Sequence, residues 1–239
     1  MPSLLDRTAL VLLLIGCVLM GARAWLHDHP QHDPWAPLNL ADPPGWATDR
    51  KLAALRGDTA TCRAFLARNG IDSVALPPAG AGACRREDRA VLAAPAAAGV
   101  TLAPRGAQAA CAIDAALAWW LLHGVQPAAK ATLGSRVVRI EHYGTGNCRR
   151  IGGGKSGGWS EHATANAIDV AGFVLADGRR VSVKGDWSRP SDKAAFLRMA
   201  RDSACRSFAT VLSPDYNAAH ADHLHLDQAN RAGGWSACR

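Results

Sequence analysis

The sequence predicts an α+β domain, on three observations. Segments with helical spacing crowd residues 48–134. Segments that alternate apolar and polar residues take over from 136 onward. One amphipathic helical stretch, 191–205, interrupts them. Helices first, then strands with one crossing helix, imply a mostly antiparallel sheet with flanking helices rather than a repeated strand–helix winding.

The elements follow in chain order. After Arg7 an apolar run spans Ala9 to Ala22, short for a free-standing span of roughly 20 residues but adequate as a signal core. Three fates fit it. "GARA" offers a cleavage site after Ala24, and "LIGC" resembles a lipoprotein box ending at Cys17. An uncleaved anchor would place Trp25 at the outer interface. All three export the rest. Residues 1–25 are therefore expected to be a signal anchor or signal peptide, holding the chain on the inner membrane facing the periplasm or cell wall, or releasing it if cut. Residues 26–47 carry five prolines and His27, His29 and His32 without periodicity, which predicts a solvated linker. The folded domain is expected over 48–239.

Within that domain, "TDRKLAALRG" and "TATCRAFLARNG" read as short helices ending at Gly57 and Gly70. Residues 77–110, rich in Ala, Gly and Pro, predict loops with short strands at "AVLA" and "VTLAP". "CAIDAALAWWLLHGV" predicts a buried helix, with His123 as a cap or core residue, and "QPAAKATLG" a second helix with Pro127 in its first turn. "RVVRIEHYG" alternates as a strand, and "AIDVAGFVLADGRRVSV" as two strands joined at "ADGR". "SDKAAFLRMARDSAC" is a helix capped by Ser191, and "HLHLD" a short strand.

Bulk composition narrows the class. The chain has 239 residues, 49% hydrophobic and 20% charged, with a formal charge of +7. That composition is globular, and the charge favours anionic surroundings. The arginines are spread rather than clustered with aromatics, which argues against a nucleic-acid partner. Besides Cys17 there are Cys62, Cys84, Cys111, Cys148, Cys205 and Cys238, with no C-x-x-C pair. An even set in an exported chain predicts disulfides. Pairing of neighbours in order is expected: Cys62–Cys84, Cys111–Cys148 and Cys205–Cys238.

Two clusters carry the chemistry. "HADHLHLD" gathers His220, His223 and His225 with Asp222 and Asp227. "SEHATANAIDV" places His162 and Asp169 seven apart. Asp169 sits between Ile168 and Val170, where a carboxylate needs a partner or a metal to offset its desolvation. Residues two apart on a strand share a face, so His223 and His225 look into one site. Two histidines and a carboxylate are a normal ligand set for catalytic zinc. Asp227 could orient a ligand histidine. Arg149 or Arg150, next to Cys148, could pair with a substrate carboxylate. Trp159 and Trp187 could form a stacking wall, though core packing suits them better.

The S-x-H-(x)6-D segment with the late H-x-H resembles the zinc peptidases that include D-alanyl-D-alanine carboxypeptidases and the penicillin-insensitive murein endopeptidase, whose fold is shared with the hedgehog signalling domain. The stretch from Cys62 to Arg239 is more similar still to the bacterial extensin-like C-terminal domain, through "SEHATANAIDVAGF", "ADGR", "AAFLR", "LSPDYNAAHADHLHLD" and the closing Cys238–Arg239. The resemblance implies a peptidase-like zinc fold with Zn2+ on His162, Asp169 and His225. It implies His223 beside the reactive water, His220 lining the site and Ser160 binding substrate. Asp222 stands where the carboxypeptidases have a glutamate base. Ala165 stands where a glycine is usual, so its methyl is expected to narrow the cleft. The expected function is an exported zinc peptidase acting on peptidoglycan stem peptides or cross-links. A non-catalytic wall-binding or tethering module that keeps the metal site is the alternative.

Overall fold

The computed structural model describes residues 3–231 and 237–239. Helix α1, Leu4–Asp28, opens on a capping box between Ser3 and Asp6 and buries no residue. Its 25 residues and a window of mean hydropathy 2.2 meet the requirement for crossing a membrane. A retained anchor and a signal sequence both meet it.

Residues 30–47, expected as a solvated tether, lie against the domain. Lys51 Nζ donates to Pro30 O at 2.6 Å, Leu40 N donates to Asn69 Oδ1 at 2.9 Å, and Leu38 is buried in the core. His123 answers from the domain, donating from Nε2 to Leu40 O at 3.0 Å while stacked on Trp119. It is half-buried and packs at the seam between this segment and α5 rather than in the core.

The helical half follows. Helices α2, Thr48–Ala54, and α3, Thr59–Arg68, come first. Asp58 caps α3 through Thr61 N, and Gly70 closes it in the left-handed region at φ +69°. Gly57 shows no such turn. The Ala/Gly/Pro-rich stretch forms strands β1, Ala90–Val91, β2, Thr101–Ala103, and β3, Gln108–Ala109, with a one-turn helix α4, Ala94–Ala97, that sequence periodicity missed. Helix α5, Cys111–Trp120, is buried along its whole length. It runs through a π-turn, Leu121–Val125, into α6, Gln126–Leu133, which Gly134 terminates at φ +65°.

The sheet half comprises β4, Val137–Gly144, β5, Ala167–Leu175, β6, Arg180–Ser182, β7, Thr210–Leu212, β8, Leu224–Asp227, and β9, Ala237–Cys238. A short helix α7, Val183–Asp186, leads to α8, Asp192–Ser207, capped by Ser191. The "ADGR" turn closes with Leu175 N on Arg179 O at 2.9 Å and Gly178 at φ +86°.

The strand order is β2-β4-β5-β8-β7-β9, with β6 also on β5. The expectation of a mostly antiparallel sheet is corrected: the sheet is mixed. The inner strands pair antiparallel, but β2 joins β4 and β9 joins β7 in parallel. The chain leaves β2 through α5, the π-turn and α6 before returning as β4, and a crossover of that length brings the next strand back in the same direction.

Phe173 of β5 meets Trp120 of α5 and Phe196 of α8 edge-on. Trp120 Nε1 donates to Ala200 O at 2.8 Å, locking α5 to α8. Ile168, Val170, Leu224 and Leu226 face this core, so the alternate residues Asp169, His225 and Asp227 are turned to the other face of the sheet.

All six remaining cysteines are paired, as Cys62–Cys111, Cys84–Cys148 and Cys205–Cys238. Only the last pair matches the expectation. Helices α3 and α5 pack side by side, and this brings the buried Cys62 to Cys111. Cys84 and Cys148 are left to join two loops.

Candidate functional site

The site begins with the register of two strands. β5 and β8 pair so that Asp169 lies directly opposite His225. His162 comes from a 3-10 turn, Glu161–Thr164, just before β5. Ser160 caps that turn by accepting from His162 N at 3.3 Å. Thr145 O, beyond the end of β4, accepts from His162 Nδ1 at 3.1 Å.

Asp169 Oδ1 is 3.1 Å from His162 Nε2 and 2.9 Å from His225 Nδ1, and the two nitrogens are 3.1 Å apart. The opposite nitrogens are committed as donors, His162 Nδ1 to Thr145 O and His225 Nε2 to Asp227 Oδ2 at 3.0 Å. In their neutral forms both histidines therefore turn bare lone pairs toward a carboxylate oxygen. Three acceptors converge, and only a proton or a metal cation satisfies them together. Donors on one tetrahedral zinc lie about 3.3 Å apart when each is ~2.0–2.1 Å from the metal. The donor set and its spacing fit such an ion.

The close approach shifts the titration of Asp169 and His225. Burial raises the Asp169 carboxyl, but hydrogen bonds from His162 and His225 outweigh it and hold the group below its ordinary value. Burial lowers His225, but hydrogen bonds to Asp169 and Asp227 outweigh it and raise the imidazole to about 9. One proton shared within this group satisfies its acceptors, and a metal cation binding there would have to displace it.

His225 borders a cleft of about 450 Å³ whose walls also include Arg149, Trp159, Ser160, Tyr216, His220 and His223. His223 Nδ1 donates to Asp222 Oδ1 at 2.9 Å, and its Nε2 faces Asp169 Oδ1 at 3.5 Å. Tyr143 braces the pair, its hydroxyl donating to Asp222 Oδ2 at 3.4 Å and its ring edge-on to His223. His220 Nδ1 donates to Asn217 Oδ1 at 2.7 Å. Burial and the charges of His223 and His225 push His220 down to about 4, so it is neutral at neutral pH.

The sequence-derived residues thus meet at one place: His162, Asp169, His225, His223, His220, Ser160 and Arg149. Arg149 lines the cleft with no acidic partner among the described residues. Arg150 is committed elsewhere, donating to Gly157 O and lying over the Trp159 ring at 4.5 Å. Trp159 lines the cleft half-exposed, whereas Trp187 is buried in the core. Asp227 accepts from His225 Nε2 and so fixes the orientation of that ring. Ala165 does not narrow the cleft: it is fully buried, and its cost is backbone strain at φ +57°. Sequence reasoning missed Tyr143, Thr145 and Asn217. Their roles depend on contacts across the sheet and on a loop's shape, and no local spacing announces them.

The family model described as extensin-like protein C-terminus matches residues 60–239. No curated protein and no solved structure matches this chain. The family match takes in well over half of the chain, the three disulfides and every residue of the donor trio, and the chain belongs to the extensin-like protein C-terminal family.

Proposed function

We propose that this chain is an exported zinc-dependent peptidase acting on peptidoglycan stem peptides or their cross-links. The observation that carries the reading is the convergence of three acceptor atoms from His162, Asp169 and His225, each within 3.1 Å of the others, beside an open cleft that His225 and His223 line. The export-compatible helix α1 and three disulfides support a location outside the cytoplasm.

When bound there, zinc would polarise the scissile carbonyl and make water more acidic. The chain's own groups do the rest. Asp222 fixes His223 in the tautomer whose Nε2 lone pair faces the cleft, as a general base requires. His223 Nε2 takes the proton of the attacking water as the new C–O bond forms. It returns that proton to the leaving nitrogen as the C–N bond breaks. Neutral His220 stands beside it as a hydrogen-bonding partner for substrate. Arg149 is placed to bind a carboxylate of the peptide in a two-pronged fork.

Purified full-length chain loaded with zinc should convert defined muropeptides to products with a new free amine. His162→Ala should abolish this. Binding of muropeptide without any change in its mass would overturn the enzyme reading and leave a wall-binding module.

A further inference from the structure

Three tryptophans stand where helix α1 meets the domain, and neither the cleft nor the core uses them. Trp25 lies in the last turns of α1 and stacks on His29 at 4.5 Å and on His32 at 5.4 Å. His32 stacks in turn on Trp46 at 5.9 Å. Trp46 is therefore one imidazole away from the helix end. It is 64% exposed, and Trp35, three residues beyond His32, is 80% exposed. Trp25 and Trp46, joined through His32 and exposed at the end of an apolar helix, make a contiguous patch of the kind that marks a partner surface.

The connection between helix and domain is stitched. Ala47 N donates to Gln31 O at 3.3 Å, and Lys51 Nζ to Pro30 O at 2.6 Å. A Cβ on Gly45 would strike the Gln31 backbone carbon at 2.7 Å, so the two segments approach as closely as glycine permits. His29 Nδ1 caps the helix on Trp25 O at 2.8 Å. These contacts hold Trp46 beside the end of α1.

We infer that Trp25, Trp35 and Trp46 form a lipid-docking surface that seats the domain on the bilayer crossed by α1. The occupant is the headgroup region of that bilayer, because the surface is continuous with the apolar helix. α1 is about 37 Å long at ~1.5 Å per residue, enough to carry its last turns past a hydrocarbon core of ~30 Å. Indole rings, apolar in body with one N–H donor, favour that depth. Seated in this way, the domain has a fixed reach, and substrate must come to the membrane surface. The inference is independent of the metal site.

The test uses the full-length chain at one copy per phosphatidylcholine nanodisc, with and without brominated acyl chains, reading quenching of tryptophan emission. In the wild type a fraction of the emission should be quenched. That fraction should fall by about half or more in Trp35→Phe/Trp46→Phe, and by less in each single variant. Both side chains are exposed, so the singles remain readable if the double variant folds poorly. Unchanged quenching in the singles and the double would overturn the inference, leaving Trp25 alone at the bilayer. Failure of the chain to stay in the nanodisc would overturn it too.

Discussion

At the scale of single residues, holding a cation and moving a proton fall to different histidines. His225 offers Nδ1 to the trio and is fixed by Asp227. His223 reaches Asp169 only at 3.5 Å and is fixed by Asp222. His223→Ala should keep metal while lowering kcat by roughly 10²- to 10⁴-fold, the usual contribution of a positioned base. Asp222→Asn should move kcat in the same direction with metal content unchanged, because it weakens the hold on the ring without removing it. Parallel metal and kinetic assays check both, and loss of metal from His223→Ala would reverse the two roles. A second residue matters away from the site. Asp114 of α5 is buried and accepts from Ala93 N and Ala94 N at the start of α4. Burial raises its carboxyl to about 6, against those two hydrogen bonds. Well below its ordinary value of 3.8 the group is protonated folded and unfolded alike, and it costs nothing. As pH rises the unfolded chain ionises first, so stability falls until about pH 6 and then levels off, by about 3 kcal/mol at ~1.4 kcal/mol per pKa unit. Asp114→Asn should flatten that part of the pH–stability curve in urea unfolding at pH 4.5 and 7.5. An identical slope in both proteins would contradict the assignment.

At the scale of elements, the helical layer owes its geometry to one close approach. Gly124 lies in the π-turn between α5 and α6, and a Cβ there would meet Ser203 Cβ of α8 at 2.7 Å and Trp120 Cδ1 at 3.0 Å. Trp120 is itself locked to Ala200 O of α8, so the indole has nowhere to go. Gly124→Ala should therefore destabilise by about 1–3 kcal/mol through overpacking, despite alanine's better helix propensity. A higher midpoint of thermal unfolding in the variant would contradict this packing. The π-turn was illegible in the sequence, where "CAIDAALAWWLLHGV" reads as uninterrupted helix. The long elements α3, α5, α6, α8, β4 and β5 were legible because each carries its own period. β7 and β9 span three and two residues, too few for a period to show, and without β9 one of the two parallel pairings is invisible. A register shift between Glu141 and His142, opposite Val170 and Gly172, lets both Val170 and Phe173 face the core. Simple alternation would have placed them on opposite faces.

At the scale of the whole molecule, a sheet backed by helices on one side carries the donor trio on the other. An apolar helix and a stitched connection lie at the end of the chain where the domain begins. The trio was legible because Asp169 stands as a lone carboxylate in an apolar strand, and because "HLH" puts two imidazoles on one face. The disulfides were not, since Cys62 meets Cys111 through the packing of two helices that neighbour-order pairing ignores. If His162, Asp169 and His225 hold one divalent cation, elemental analysis of the purified chain equilibrated with zinc will count it. One zinc per chain is expected, lost in His162→Ala, Asp169→Ala and His225→Ala but kept in His223→Ala. A wild type that binds no metal, or one whose metal survives all three ligand substitutions, would contradict it.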